Sequence, residues 1–146
     1  MKIELKSKSI KETEKIAFNF AKRLTGKEIV MFYGNLGVGK TTFIKSLAKA
    51  LNVKDINLVN SPTYNIMNCY AGKFSIYHFD MYRISTEEEL FELGFFDYVG
   101  TGIMLIEWSE NIENFFPTDY CTEKVMKVIV NYSQESENFR NFKFIF

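Results

Sequence analysis

The sequence predicts a single α/β domain over residues 1–146, with a mostly parallel central sheet, antiparallel strands or hairpins at its edges, and helices on both faces. Three observations lead to this fold class. An apolar segment at residues 29–33 precedes a glycine-rich loop, and a helical pattern at 42–51 follows that loop. A second unbroken apolar run, at residues 102–107, is typical of a buried parallel strand. Two segments near the C-terminus indicate a hairpin: residues 124–132 and 139–146.

The N-terminal third begins with an edge strand and a helix. Apolar Ile3 and Leu5 alternate with charged residues, as in a short strand with one solvent-exposed face. Ser9 and Glu12 have the spacing of a capping box, which predicts the start of an amphipathic helix. Gly26 is predicted to stop that helix, because glycine readily adopts the left-handed conformation found at helix ends.

The middle of the chain is predicted to hold a hairpin and a short helix. Residues 64–70 and 73–79 alternate like two strands around a turn at 71–72. Thr86 and Glu89 form a second capping box, and the helix that they open is predicted to stop before the next glycine, Gly94.

Composition indicates a folded protein. The 146 residues are 47% hydrophobic and 16% aromatic, enough for a core, and the net charge of zero carries no global signature of nucleic-acid binding. We find no signal-peptide core and no apolar run of membrane-spanning length, which predicts a cytoplasmic protein without membrane contact. Cys69 and Cys121 are expected to be reduced, buried thiols, and with one histidine they do not predict a zinc site.

The glycine-rich loop carries the strongest functional signal. Residues 34–41 match G-x-x-x-x-G-K-[ST], a phosphate-binding loop, in the strand–loop–helix context that this motif requires. Its glycines let the backbone curl so that N–H groups point at an anion, beside the positive start of a helix. We expect Lys40 to reach the β- and γ-phosphates, Thr41 to bind Mg²⁺ and Thr42 to approach the α-phosphate. The predicted nucleotide-binding residues of the loop are Asn35, Leu36, Gly37, Val38, Gly39, Lys40, Thr41 and Thr42.

Two carboxylates are candidates for the remaining chemistry. Hydrolysis needs an acidic group near Mg²⁺ and a group that orients water, and Glu107 ends an apolar strand where α/β sheets place ligands. Asp80 follows another strand and is a candidate for orienting water or for holding Mg²⁺ through water, with Arg83 as a neighbouring phosphate ligand. The same pattern fits structural hydrogen bonds from Asp80 to Arg83 or to His78, and Trp108 fits either a core position or a position near the nucleotide.

Four motifs, taken together and in order, resemble the TsaE (YjeE) family, the small P-loop ATPase of the bacterial tRNA threonylcarbamoyladenosine apparatus. They are G-N-L-G-V-G-K-T-T-F at residues 34–43, S-P-T-Y at 61–64, H-F-D-M-Y-R at 78–83 and E-W-S-E at 107–110. The resemblance runs from about residue 9 to about residue 115 and implies that family's compact P-loop α/β domain.

This resemblance implies a function as well as a fold. The protein would bind and hydrolyse ATP with Mg²⁺, weakly when alone. It would act with the TsaD and TsaB subunits, which transfer the threonylcarbamoyl group to the adenosine beside the tRNA anticodon, so its connection with tRNA would be indirect. By position, the implied catalytic residues are Lys40, Asp80 and Glu107, and the implied metal ligands are Thr41 and Glu107. Two further residues are implied to lie beside the nucleotide: Thr13 near the base, and Trp108.

Rival functions remain at this stage. A small nucleoside or metabolite kinase usually holds two sets of phosphates with several arginines, whereas this chain has three, Arg23, Arg83 and Arg140, and no evident lid segment. A small GTPase needs N-K-x-D, and residues 52–55 have those residue types in the wrong order. A nucleotide-gated adaptor with negligible turnover stays open until hydrolysis is measured with and without partners.

Overall fold

A seven-stranded sheet forms the centre of the domain. The computed structural model describes residues 1–116 and 123–146. The strands are β1 (Lys2–Ser7), β2 (Ile29–Tyr33), β3 (Met67–Ala71), β4 (Ser75–Asp80), β5 (Ile103–Glu107), β6 (Val125–Tyr132) and β7 (Arg140–Ile145). Their spatial order is β1-β7-β6-β2-β5-β4-β3. The central strands β6, β2, β5 and β4 are parallel, and the outer pairs are antiparallel, which confirms the predicted fold class.

Helices cover both faces of this sheet. Helices α1 (Ile10–Ala21) and α2 (Lys40–Ala50) pack together on one face. The short helix α3 (Glu87–Glu92) contributes Leu90 to a second core on the opposite face. The sheet is therefore buried on both sides, as parallel sheets generally are.

Strand β2 shows why the central strands are apolar at every position. All of its residues are buried. Val30 and Phe32 point to the first core, where the Phe32 ring centroid lies 5.9 Å from that of Phe43 in α2. Ile29 and Met31 point to the second core. Because successive side chains alternate between two apolar faces, the strand needs no polar position.

Both predicted capping boxes form the expected helix starts. The Ser9 hydroxyl accepts a hydrogen bond from the Glu12 N–H at 3.1 Å, and the Thr86 hydroxyl accepts one from the Glu89 N–H at 3.2 Å. Gly94, with φ of 70°, follows α3 and confirms its predicted end. These hydrogen bonds satisfy N–H groups that have no partner within the helix.

The predicted stop at Gly26 is wrong. Helix α1 ends at Ala21, and the next residues tighten into a turn in which the Arg23 N–H donates to the Phe20 carbonyl at 3.0 Å. Gly26 instead donates its N–H to the buried Glu28 carboxylate at 3.0 Å. Its positive φ of 116° serves this turn around the carboxylate and not a helix end.

The first strand of the predicted hairpin begins later than expected. Strand β3 starts at Met67, because the preceding residues fold into a turn in which the Ile66 N–H donates to the Pro62 carbonyl at 2.7 Å. Ile66 has a left-handed φ of 66°, and Tyr64 is 85% exposed. A left-handed residue interrupts the extended backbone, so alternation at residues 64–66 does not produce a strand.

Cys69 corrects another expectation. It is exposed, because β3 is the edge strand of the sheet and one of its faces meets solvent. Cys121 lies outside the described residues, so the structure does not test the expectation for it. None of the helices in the described ranges has the length and apolar character that crossing a bilayer requires.

Candidate functional site

A cavity of about 450 Å³ opens where the parallel strands end. Strand β2 leads into the glycine-rich loop, while β4 and β5 end at Asp80 and Glu107, which are register partners. This is the edge at which open α/β sheets bind ligands. The predicted site residues that line the cavity are Leu36, Gly37, Gly39, Lys40, Thr41, Thr42, Asp80, Glu107 and Trp108.

The loop backbone has the curled form that a phosphate-binding loop requires. Gly37 and Gly39 have φ values of 75° and 113°, which residues with a side chain rarely adopt. Asn35 and Val38 contribute to the loop in another way, since the Val38 N–H donates to the Asn35 carbonyl at 3.2 Å and the Val38 side chain is buried in the core. Gly39 starts α2 without a side-chain cap, so the first turn of the helix presents its N–H groups to an anion.

Lys40 is a buried cation that faces this loop. Its side chain donates hydrogen bonds to the Gly34 carbonyl and, at 3.1 Å, to the Asn35 carbonyl, and its Nζ lies 4.7 Å from the Trp108 ring centroid. Burial lowers the pKa of the Lys40 ammonium, while nearby carboxylates, Glu110 first among them, counteract that shift. Neutral carbonyls satisfy its N–H donors without neutralising its charge, so the group suits an incoming anion.

Glu107 is held at the centre of a buried hydrogen-bonded chain. Its Oε1 accepts from the Thr41 hydroxyl at 3.1 Å, and its Oε2 lies 2.7 Å from His78 Nε2. His78 Nδ1 lies 3.0 Å from the Tyr70 hydroxyl. Burial alone would raise the pKa of Glu107, but the hydrogen bonds from His78 and Thr41 hold that pKa below its usual value. Glu107 is therefore a carboxylate at neutral pH although it is only 2% exposed.

Asp80 lies beside Glu107 and holds a neighbouring loop. Its Oδ2 accepts from the Ser61 hydroxyl at 2.9 Å and from the Thr63 hydroxyl at 3.1 Å, while its Oδ1 accepts from the Tyr82 N–H at 2.8 Å. The S-P-T-Y motif and the second acidic residue thus belong to one site. Asp80 is only 3% exposed, so these donors also compensate for the loss of water.

The structural hydrogen bonds considered for Asp80 are wrong. Within the described residues, His78 bonds to Glu107 and Tyr70 and not to Asp80. Arg83 is exposed, and its guanidinium lies 5.2 Å from the Tyr64 ring centroid. None of the three arginines of the chain lines the 450 Å³ cavity, so the suggested role of Arg83 beside phosphate gains no support.

Thr13 lines a second cavity, of about 200 Å³, and not the larger one. The two cavities share Gly37, Gly39 and Thr42, whereas Thr13 lines only the smaller cavity and Glu107 only the larger one. Its hydroxyl is 2.7 Å from that of Ser7, and both residues are buried. The smaller cavity therefore adjoins the larger one along the glycine-rich loop.

Sequence reasoning missed two features of the site. Glu110, in the E-W-S-E motif, accepts a hydrogen bond from the Gly34 N–H at 2.8 Å and so ties that motif to the loop. Trp108 has a left-handed φ of 57°, unusual for a bulky residue, and its ring centroid lies 4.9 Å from that of Tyr82. Residues in such conformations cluster at functional sites, and the motif spacing alone gave no sign of this one.

The fold and the loop together define a P-loop α/β domain. A sequence model of the family described as "Threonylcarbamoyl adenosine biosynthesis protein TsaE" matches residues 7–140. The chain belongs to this TsaE family, which confirms the resemblance carried by the four motifs.

Individual proteins agree with this assignment. The tRNA threonylcarbamoyladenosine biosynthesis protein TsaE of Rickettsia prowazekii is 43% identical over 124 residues, which cover 84% of this chain and 85% of that protein. The protein of the same name from Aquifex aeolicus is 40% identical over 103 residues, covering 70% of this chain and 73% of that protein. The crystal structure of YdiB from Bacillus subtilis shares the fold, with a TM-score of 0.73 at 23% identity, over 99% of this chain and 84% of that one.

Proposed function

We propose that this protein is a Mg²⁺-dependent ATPase of tRNA threonylcarbamoyladenosine biosynthesis, with weak turnover alone and with TsaD and TsaB as its partners. One observation carries the proposal: Lys40, Thr41, Asp80 and Glu107 converge on a single cavity at the start of α2. A buried ammonium, a hydroxyl and two carboxylates are the groups that P-loop phosphate chemistry uses.

The β- and γ-phosphates would bind along the loop and the first turn of α2. Gly37 and Gly39 present backbone without side-chain obstruction, and Lys40 brings the positive charge. In binding phosphate, the Lys40 ammonium would exchange its carbonyl acceptors for charged oxygens, which form stronger hydrogen bonds. The base would extend past Thr42 towards Thr13 in the smaller cavity.

The pair Thr41 and Glu107 suits a magnesium ion. A Thr41 hydroxyl oxygen and a Glu107 carboxylate oxygen lie 3.1 Å apart, and such hard oxygen donors are the ligands that would hold Mg²⁺. When bound, the ion supplies positive charge that offsets the charge of the phosphates. His78 keeps Glu107 in place and ionised, so this carboxylate does not have to reorganise when a ligand enters.

Asp80 would act on the water that attacks the γ-phosphate. It lies next to Glu107 across the β4–β5 pairing, and Ser61 and Thr63 fix one of its oxygens. These two hydroxyls come from a loop, so ligand-dependent movement of the loop would alter how Asp80 holds water. This coupling is a physical route by which partner proteins would raise turnover.

The decisive experiment measures phosphate release from ATP, with and without Mg²⁺, by the chain alone and together with TsaB and TsaD. Lys40→Ala should reduce ATP affinity or turnover by about a hundredfold or more, because charge-assisted hydrogen bonds to phosphate are lost. Lys49→Ala is the matched control, since Lys49 is an exposed lysine of the same helix outside both cavities. Its turnover should equal that of the wild type.

The outcomes separate the candidate functions. Weak hydrolysis that rises with the partners and disappears in the Lys40 variant supports the proposal. Tight ATP binding without turnover, even with both partners, would instead identify a nucleotide-gated adaptor. Phosphate transfer to a small-molecule acceptor would identify a kinase. Wild-type ATP affinity together with wild-type turnover in Lys40→Ala would contradict the assignment of the loop itself.

A further inference from the structure

Two residues of the β6–β7 hairpin donate hydrogen bonds to carbonyl groups of the glycine-rich loop. The Tyr132 hydroxyl donates to the Gly37 carbonyl at 3.2 Å, and Arg140 Nε donates to the Val38 carbonyl at 2.7 Å. These contacts join residues about 100 positions apart, and neither hairpin residue belongs to the four motifs that identify the family. The loop conformation therefore depends on a segment of the chain that carries no motif.

Arg140 is itself rigidly held. Its Nη1 donates to the carbonyls of Glu137 and Phe139, at 2.5 and 3.0 Å, and its guanidinium carbon lies 4.3 Å from the Tyr132 ring centroid. Backbone acceptors and an aromatic face thus fix the plane of the guanidinium. Because this donor is fixed by other contacts, its hydrogen bond orients the carbonyl group that accepts it.

The bond to Val38 sets the direction of the next N–H group. In a trans peptide the C=O and N–H bonds point in opposite directions, and the chain contains no cis peptide among its described residues. The Val38 carbonyl points at Arg140, so the Gly39 N–H points away from it. Gly39 lines both cavities, whereas Arg140 lines only the smaller one. The Gly39 N–H is thus directed away from Arg140, and of these two residues only Gly39 lines the cavity that Lys40 lines.

We propose that Arg140 is a positioning residue for phosphate binding, which it serves by orienting the Val38–Gly39 peptide. This inference rests on the proposed function, because the oriented peptide would bind the phosphate chain of the nucleotide. Tyr132 assists by fixing the Gly37–Val38 peptide. Arg140 acts through a directed hydrogen bond and not through its charge, since the donors described above are already engaged by carbonyl groups.

The test compares Arg140→Lys and Arg140→Ala with the wild type by calorimetric titration of ADP and of inorganic tripolyphosphate, both with Mg²⁺. Lysine keeps the charge but lacks the planar, stacked Nε donor. Both variants should bind both ligands about tenfold more weakly or worse, the effect of losing one well-oriented hydrogen bond to a charged group. Tyr132→Phe should weaken binding in the same direction by a smaller factor. Arg23→Ala, a surface arginine stacked on Phe146, is the control and should leave both affinities unchanged.

Thermal unfolding of each variant supplies the readout for folding. Variants that melt earlier but bind as tightly as the wild type would overturn the inference, because Arg140 would then support only the hairpin. Wild-type affinity in Arg140→Lys would also overturn the inference, because the charge of Arg140 would then be what matters. Weakened ADP binding with unchanged tripolyphosphate binding would overturn it as well, because Arg140 would then act on the base. Failure of the wild type to bind ADP would count against the proposed function instead.

Discussion

Two glycines of the glycine-rich loop should respond very differently to the same substitution. Gly34 and Gly37 both have positive φ values, of 137° and 75°. A Cβ atom added to Gly34 would lie closer than 3.0 Å to the Val130 carbonyl oxygen and to a methyl group of Val38. A Cβ added to Gly37 would meet nothing nearer than the Tyr132 hydroxyl at 3.9 Å. Both positions carry a conformational penalty, but only Gly34 also carries a steric one.

The magnitudes follow from these two terms. The positive φ should cost either alanine variant about 1–2 kcal/mol of unfolding free energy. Gly34→Ala also forces apart the loop and strand β6, where the obstructing atom is backbone, and such overpacking typically costs about 1–3 kcal/mol more. Gly34→Ala should therefore lower the free energy of unfolding by about 2–5 kcal/mol, against about 1–2 kcal/mol for Gly37→Ala.

Urea unfolding of the two variants and the wild type measures this difference. With a slope of about 1–3 kcal/mol per molar urea, the midpoint of Gly34→Ala should lie about 1 M below that of Gly37→Ala. Equal slopes would show that the substitutions change stability without changing the surface exposed on unfolding. The effect of alanine on the entropy of the unfolded chain is common to both variants, so it cancels in their comparison. Equal midpoints would refute the reasoning, because the close approach between Gly34 and Val130 would then have no energetic consequence.

Two further predictions concern buried carboxylates. Glu28 accepts hydrogen bonds from Thr25 and from Gly26; burial alone would raise its pKa, but these bonds lower it overall. The resulting stabilisation is present above the ordinary glutamate pKa of about 4.3 and is lost as the pH falls through the lower folded-state value. Glu28→Gln should thus lower the free energy of unfolding by about 1–3 kcal/mol at pH 7, and by progressively less below a pH of about 4. Urea midpoints of the variant and the wild type, measured at pH 7 and below a pH of about 4, test this. A difference between the two proteins that stays constant with pH would contradict it. Glu107→Ala and Asp80→Ala should each reduce ATP hydrolysis more than ATP affinity, measured by phosphate release and titration, and full turnover in both variants would remove them from the proposed mechanism.

Local patterns predicted most of the architecture. The two-sided burial of β2 and β5 follows from runs of apolar residues, and the starts of α1 and α3 follow from capping boxes at Ser9 and Thr86. Errors arose where a nearby side chain or turn overrode the local pattern. Gly26 serves the Glu28 carboxylate rather than a helix end, and the turn before β3 shortens the predicted strand.

Local patterns also predicted part of the candidate site. Motif spacing predicted the loop, and the rule that α/β sheets place ligands at strand ends predicted Glu107. Asp80 was a candidate from its residue cluster, and the parallel pairing of β4 with β5 makes it the register partner of Glu107. Periodicity assigns a side chain to a face but does not name its partner across the sheet. The bond between His78 and Glu107 depends on the pairing and register of β4 and β5, which only the folded chain defines.

The sequence by itself determined the class of fold, the family and the residue types of the proposed phosphate and metal site, since these depend on local periodicity and on residues at short, fixed spacing. Only the tertiary structure decided how those residues are held. Asp80 joins the loop at Ser61 across 19 positions, and Arg140 reaches Val38 across 102. Such contacts form when strand order and register bring distant segments within hydrogen-bond distance, and no local pattern encodes that distance.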